Sequence, residues 1–284
     1  MRAPVFNTKP LTWQAAVARC KVFCDMHPDS FPVPADALTY LRYIFTDAEG
    51  LWCFRPSGKT GTTSTLAFLF HLTFGHPLTA VGRSAHSINA DQVAYSLHKA
   101  RVFSALPDCG TDLDLPSYLN QCLRLATVRH PFDRAVSGFS YLCRAHEMGG
   151  DQFLTERLRL SALTGFDWDR HTGTAEGFAR YLDYLKQDLA HHATRPVDSH
   201  FRPQVLNILP DVFRPDLIGR CEDLPGFFAQ IAERLDRPVP EGALEARALN
   251  VQKIPNRDQF DTPGLRQRVA DVFAADYDQF NYSP

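Results

Sequence analysis

A chain of 284 residues with 44% hydrophobic content and a formal net charge of −2 can bury a sizeable core. Its Lys and Arg residues form no block, so no nucleic-acid partner is expected, and seven cysteines without tight paired spacing argue against a disulfide framework. The first residues lack a signal-peptide core and no apolar run approaches the about 20 residues of a membrane span, so the expectation is a cytoplasmic protein without an integral membrane segment.

Residues 1–44 read as a helical preface. Trp13, Val17, Cys20 and Cys24 recur at helical spacing after Thr12, residues 36–43 suit a second short helix, and Asp47-Ala48-Glu49-Gly50 is a turn. Cys20 and Cys24 fit one buried helix face better than a metal site. Then comes Leu51-Trp52-Cys53-Phe54, an apolar run, followed by Pro56, Gly58, Lys59, Thr60, Gly61, Thr62, Thr63, Ser64 and Thr65 and a second apolar run. That order spells strand, tight loop, helix start. Backbone N–H groups, the positive end of the helix dipole and the Lys59 charge together favour a phosphate-like anion, although an ordinary βα turn capped by its hydroxyls has the same outline. A nucleotide-triphosphatase loop requires a glycine five positions before Gly58, where Cys53 stands, and here a glycine follows the lysine instead.

The helix should stop near His76-Pro77. Residues 78–81 then suit a strand ending at Gly82, 90–103 a helix, 105–118 a loop and 123–128 a strand. The βαβα order implies a central parallel sheet flanked by helices, with ligands beyond the carboxyl ends of its strands. A second strand-to-helix junction follows in Arg129-His130-Pro131-Phe132-Asp133-Arg134, with Pro131 at the first helical turn and Phe132, Val136, Phe139 and Leu142 on the apolar face. Arg129 can hold a phosphate bidentately, and Ser137, two turns in, reaches the same group if the ligand lies across the helix start; an exposed arginine and a tolerated helix serine is the alternative. Residues 151–189 look helical around a loop at 165–173, residues 216–219 suit a late strand, and 224–235 and 265–280 read as closing helices, the last capped by Thr262 and Pro263.

Lys59-Thr60-Gly61-Thr62-Thr63 and Arg129-His130-Pro131-Phe132-Asp133-Arg134-x-x-Ser137 together resemble the 5′-phosphosulfate and 3′-phosphate motifs of sulfotransferases that use 3′-phosphoadenosine 5′-phosphosulfate (PAPS). The wording is similar to the carbohydrate branch, in its soluble bacterial type. His200-Phe201-Arg202-Pro203-Gln204, the stretch Ile218-Gly219-Arg220-Cys221-Glu222-Asp223-Leu224 and the tail Asp276-Tyr277-Asp278-Gln279-Phe280-Asn281-Tyr282 extend the likeness over most of the chain. Gly58, where a proline commonly stands, and Tyr277, where a phenylalanine does, depart from the pattern.

The resemblance implies a single sulfotransferase domain over 1–284 with its core at 45–284. It also implies the P-loop-nucleotide-kinase-like fold and sulfuryl transfer from PAPS to an acceptor hydroxyl, leaving 3′-phosphoadenosine 5′-phosphate (PAP). Lys59 would stabilise the leaving oxygen, Thr60, Gly61, Thr62, Thr63 and Ser64 would hold the 5′-phosphate, and Arg129 and Ser137 the 3′-phosphate. No metal is expected. The acceptor would be a carbohydrate or another hydroxyl-bearing molecule, with Trp52, Trp168 and Phe201 either stacking a sugar or packing the core. For the base that takes the acceptor's proton, His86 leads, because it follows a predicted strand end between the two motifs, where related enzymes carry their histidine. His200 and a carboxylate such as Glu222 are the alternatives. A small-molecule kinase and a non-catalytic nucleotide-binding protein of the same fold are the rival readings.

Overall fold

The computed structural model describes residues 10–82, 88–89, 92–109, 112–191, 197–243, 254 and 256–284. In chain order the elements are α1 (Trp13–Met26), α2 (Pro34–Leu41), β1 (Phe45–Thr46), β2 (Trp52–Arg55), α3 (Thr62–Phe74), α4 (Val93–Ser96), β3 (Ser104–Ala105) and α5 (Leu115–Gln121). After them come β4 (Leu123–Val128), α6 (Pro131–Glu147), α7 (Leu154–Thr164), α8 (Trp168–His171), α9 (Ala175–His191) and α10 (Gln204–Ile208). The chain closes with α11 (Pro210–Phe213), β5 (Leu217–Arg220), α12 (Leu224–Arg234), α13 (Pro263–Val272) and α14 (Ala274–Phe280).

The sheet runs β3-β1-β2-β4-β5. The pairs β2–β4 and β4–β5 are parallel, as the βαβ order requires, whereas β1 pairs antiparallel with both β2 and β3. The expected central parallel sheet is present as β2-β4-β5, and β1 and β3 extend it with antiparallel pairings that the expectation did not include, so the sheet is mixed. The cause is the turn at residues 47–50: Gly50 takes φ +70° and Asp47 Oδ1 accepts the Leu51 N–H, which folds β1 back onto β2 as a hairpin. Residues 78–81 form no strand. Only Leu78 packs against the core while Val81 is 67% exposed, so the run has no apolar face to bury against a sheet. Of the helix expected over 90–103, residues 90 and 91 lie outside the described residues and residues 92–103 keep only α4, while the helix expected over 265–280 breaks at Phe273 into α13 and α14.

Alternate strand residues serve opposite faces. Trp52, Phe54 and Leu125 pack with Leu66, Phe68 and Phe228 of α3 and α12, whereas Cys53, Ala126 and Val128 pack with Ala16, Cys20 and Leu38 of the preface. A third cluster forms where Phe132, Val136 and Phe139 of α6 meet Phe178, Tyr181 and Leu182 of α9. Trp52 and Phe201 are each 1% exposed and Trp168 packs at the edge of this third cluster, so these aromatics build cores and do not form a stacking wall. Cys20 and Cys24 are buried, and all seven cysteines are free. Among the described residues no helix is long and apolar enough to cross a membrane.

Arg134 of α6 ties the parts together. It is 1% exposed, and its guanidinium donates to three backbone carbonyls: Gly58 (2.9 Å), Ser199 (2.9 Å) and Arg202 (2.8 Å). One side chain thus joins the loop after β2, the start of α6 and the segment before α10. Replacing it leaves the Gly58 and Arg202 carbonyls without a donor, leaves Ser199 O with the Asn207 amide (2.8 Å) alone, and removes the charge facing Asp276, each carbonyl stranded in a buried position costing about 1–3 kcal/mol. Arg134→Met is expected to lower unfolding free energy by about 3–5 kcal/mol in urea denaturation; a loss under about 1 kcal/mol would show that the carbonyls find other partners.

Candidate active site

Because β2 and β4 are parallel neighbours in register, Phe54 opposite Leu125 and Arg55 opposite Ala126, the junctions that follow them leave the sheet side by side. Both open into one cleft of about 1330 Å³, whose wall includes Gly58, Lys59, Gly61, Thr62, Thr63, Ser64, Arg129, Ser137, Tyr141, Asp198 and His200.

The loop after β2 is shaped by two left-handed residues, Lys59 (φ +70°) and Gly61 (φ +80°). Gly58 has to be glycine for another reason: a Cβ there would lie 2.8 Å from the His200 Cα, a backbone contact that cannot swing aside. The first backbone bond of α3 is Thr65 N–H to Gly61 O, and the N-cap Gly61 offers no side chain, so the amides of Thr62, Thr63 and Ser64 lie ahead of the helix's own ladder. The loop hydroxyls divide into two groups. Thr60 is fully buried, donates to Ser57 O (2.7 Å) and pairs with Thr127 Oγ1 (2.9 Å), and Thr62 also donates to Ser57 O (3.0 Å). Those side chains brace the loop. Thr63 donates to Tyr95 Oη (3.2 Å), and Ser64 lines the cleft.

Lys59 Nζ lies 3.9 Å from the centroid of the Tyr141 ring. Burial lowers its pKa to about 8, with Arg129, Arg134 and Arg144 pushing the same way. Across the cleft, Gln204 grips the Arg129 backbone from both sides, accepting its N–H (2.8 Å) and donating to its carbonyl (2.9 Å). Gln204 is held in turn by Asp276, which accepts from Gln204 N (2.8 Å), Gln204 Nε2 (3.3 Å) and Val205 N (2.8 Å). Burial raises the Asp276 carboxyl and the Arg134 charge and these donors oppose it. Glu222 accepts from the His130 N–H (2.7 Å) and the Tyr282 hydroxyl (3.0 Å), which commits it to holding the α6 entrance. The guanidinium of Arg129 and the hydroxyl of Ser137 have no hydrogen-bonding partner among the described residues. Lys59 and Arg129, two cations with no carboxylate partner there, suit an anionic ligand such as a bisphosphorylated nucleotide.

His200 lies in the cleft wall, and its Nδ1 is 2.6 Å from Asp198 Oδ1, which also accepts the His200 backbone N–H at 2.9 Å. Burial pushes the Asp198 carboxyl up, but the bonds from His200 outweigh it and hold it below the ordinary carboxylate range. An ionised Asp198 fixes the Nδ1–H tautomer and leaves Nε2 able to accept a proton. His86 lies outside the described residues. Among those residues no group of three or more His, Cys, Asp or Glu side chains is arranged to hold a metal ion.

Sequence reasoning missed four contributors. Arg134 and Gln204 sat in quoted motifs without a role, Tyr141 falls one turn after Ser137 on the same helix face, and Asp198 precedes His200 by two residues. The Ser137-to-Tyr141 spacing and the Asp-x-His pattern were usable signals; the inward turn of Arg134 was not.

The sulfotransferase family matches residues 58–283, from the loop glycine to the tail, and the chain belongs to that family. Its reaction is sulfuryl transfer from PAPS to an acceptor hydroxyl. No curated protein and no solved structure matches the chain.

With Lys59 as described, its labelling by an amine-selective acylating reagent should rise with a midpoint at pH about 8. Bound PAP should move that midpoint upward, since a nearby anion favours the charged amine. A midpoint at the ordinary lysine value of about 10.4 would contradict the electrostatics of the site.

Proposed function

We propose that the enzyme sulfates a carbohydrate hydroxyl, with Lys59 at the leaving oxygen, the loop from Thr60 through Ser64 around the 5′-phosphate, and Arg129 and Ser137 at the 3′-phosphate. The observation that carries this reading is the single cleft shared by the two junctions, with unneutralised cations on both. Sulfuryl transfer needs an in-line approach and stabilisation of charge on the departing oxygen, which Lys59 can supply from a partly desolvated position where its charge acts strongly. Thr60 and Thr62 contribute through backbone amides and loop stiffness, because their hydroxyls already donate to Ser57 O.

For the base, the bond to Asp198 favours His200: it orients the imidazole and stabilises the imidazolium formed when the acceptor's proton arrives. The expectation for His86 stands beside it as a competing assignment. We also take residues 1–284 as one domain of the P-loop-nucleotide-kinase-like class. The core shared by the preface and the sheet supports the first part, and two strand-loop-helix junctions on parallel strands support the second. A cytoplasmic location is proposed from composition alone.

Lys59→Ala should reduce turnover by at least about a hundredfold, the scale of losing one preorganised donor to a developing charge. His200→Ala should lose turnover with PAP affinity kept within about twofold, whereas His86→Ala should keep both. Sulfate transfer from labelled PAPS to a panel of carbohydrate acceptors, beside PAP titration of each variant, measures this. The opposite pattern for the two histidines would give the base to His86, and full transfer by Lys59→Ala would remove the lysine from the chemistry.

A further inference from the structure

We propose that Tyr141 is a positioning residue for sulfuryl transfer, the face of its ring holding the Lys59 ammonium in the cleft while the same ring lies against His200. The inference rests on the reading of Lys59 and His200 given above. Tyr141 stands one helical turn beyond Ser137, so α6 presents both to the cleft. Its ring centroid is 3.9 Å from Lys59 Nζ, well within the about 6 Å at which a ring quadrupole attracts a cation, and 5.5 Å from the His200 ring. The ring is itself fixed. It is 5% exposed, packs against Phe153, and its hydroxyl donates to Asn89 Oδ1 at 3.0 Å.

The charges around Lys59 give the ring its importance. Arg134 and Arg144 from α6 and Arg129 from the strand end all oppose the ammonium. From the segment before α10 come His200, Asp198 and Arg202, and there the one carboxylate is bonded to His200. Cys221 and Glu222 stand further along the wall, Glu222 bonded to His130 and Tyr282. Among the described residues no carboxylate pairs with Lys59, so the aromatic face is the favourable electrostatic contact that keeps the amine charged and directed while no anion is bound. A carboxylate in that place would hold the amine too, but it would repel the phosphosulfate. A neutral ring does not.

The test compares Tyr141→Leu with Tyr141→Phe. Phe keeps the ring and loses only the bond to Asn89; Leu loses the ring. Tyr141→Leu should move the labelling midpoint of Lys59 down by about half to one pH unit and weaken PAP binding at pH 8 by about three- to tenfold, whereas Tyr141→Phe should leave both near wild type. Tyr141→Met, closer in volume, serves the same purpose if the Leu variant does not fold. A Leu or Met variant with the wild-type midpoint would overturn the role of Tyr141 while leaving Lys59 in the site. So would equal shifts in Leu and Phe, because the hydroxyl and not the ring would then be responsible. Failure of the wild-type protein to bind PAP would overturn the function of Lys59 and this role with it.

Discussion

The cleft depends on one buried cation. Arg134 spends its donors on the carbonyls of Gly58, Ser199 and Arg202, so the lysine loop, the start of α6 and the histidine segment cannot move independently. Direct approach of the chains reinforces the link. Gly58 meets the His200 backbone where no Cβ fits, and Gly138 of α6 lies close to the Tyr181 hydroxyl and the His200 carbonyl. A group transferred between donor and acceptor needs its reacting atoms held to a fraction of an ångström, and bonds to backbone carbonyls fix the main chain and not merely a rotamer.

Around that staple the polar residues fall into layers. Lys59, Arg129, Ser137 and His200 face the cleft, while Gln204, Asp276, Glu222, Asp198 and Thr127 hold them or the chain beside them. The carboxylates of this outer layer are occupied with N–H and O–H donors, which keeps them from neutralising the cleft cations. A site for a multiply charged anion has to be built so, because a cation already paired within the protein gains little from the ligand. Burying Lys59 beside three arginines costs the unliganded protein some favourable hydration, and that cost is relieved when an anion enters.

Much of this was legible in the residues, and the limits have physical causes. The β2 and β4 junctions could be read because an apolar run, a glycine or proline and a cation give a strand-loop-helix order in one dimension. Thr262 does cap α13, accepting the Leu265 N–H, and Pro131 does open α6. The hairpin of β1 was hidden because a two-residue strand has no periodicity, and the strand at 78–81 was misread because a short apolar run says nothing about a neighbour to bury it. Thr60 looked like a ligand hydroxyl, yet it turns inward to Thr127, a partner 67 residues away that spacing alone cannot reveal. The same blindness hid Arg134 and the Asp276–Gln204–Arg129 relay, whose members are separated by more than 70 residues.

The account stands on the two junctions holding one bisphosphorylated nucleotide between them, which a calorimetric titration with PAP and with adenosine 5′-monophosphate tests most directly. The two differ only in the 3′-phosphate that Arg129 and Ser137 are taken to bind. The wild-type protein should prefer PAP by about ten- to hundredfold, the value of one or two charge-assisted hydrogen bonds, and Arg129→Ala should lose most of that preference while binding the monophosphate as before. Equal affinity of the wild-type protein for the two nucleotides would contradict the account.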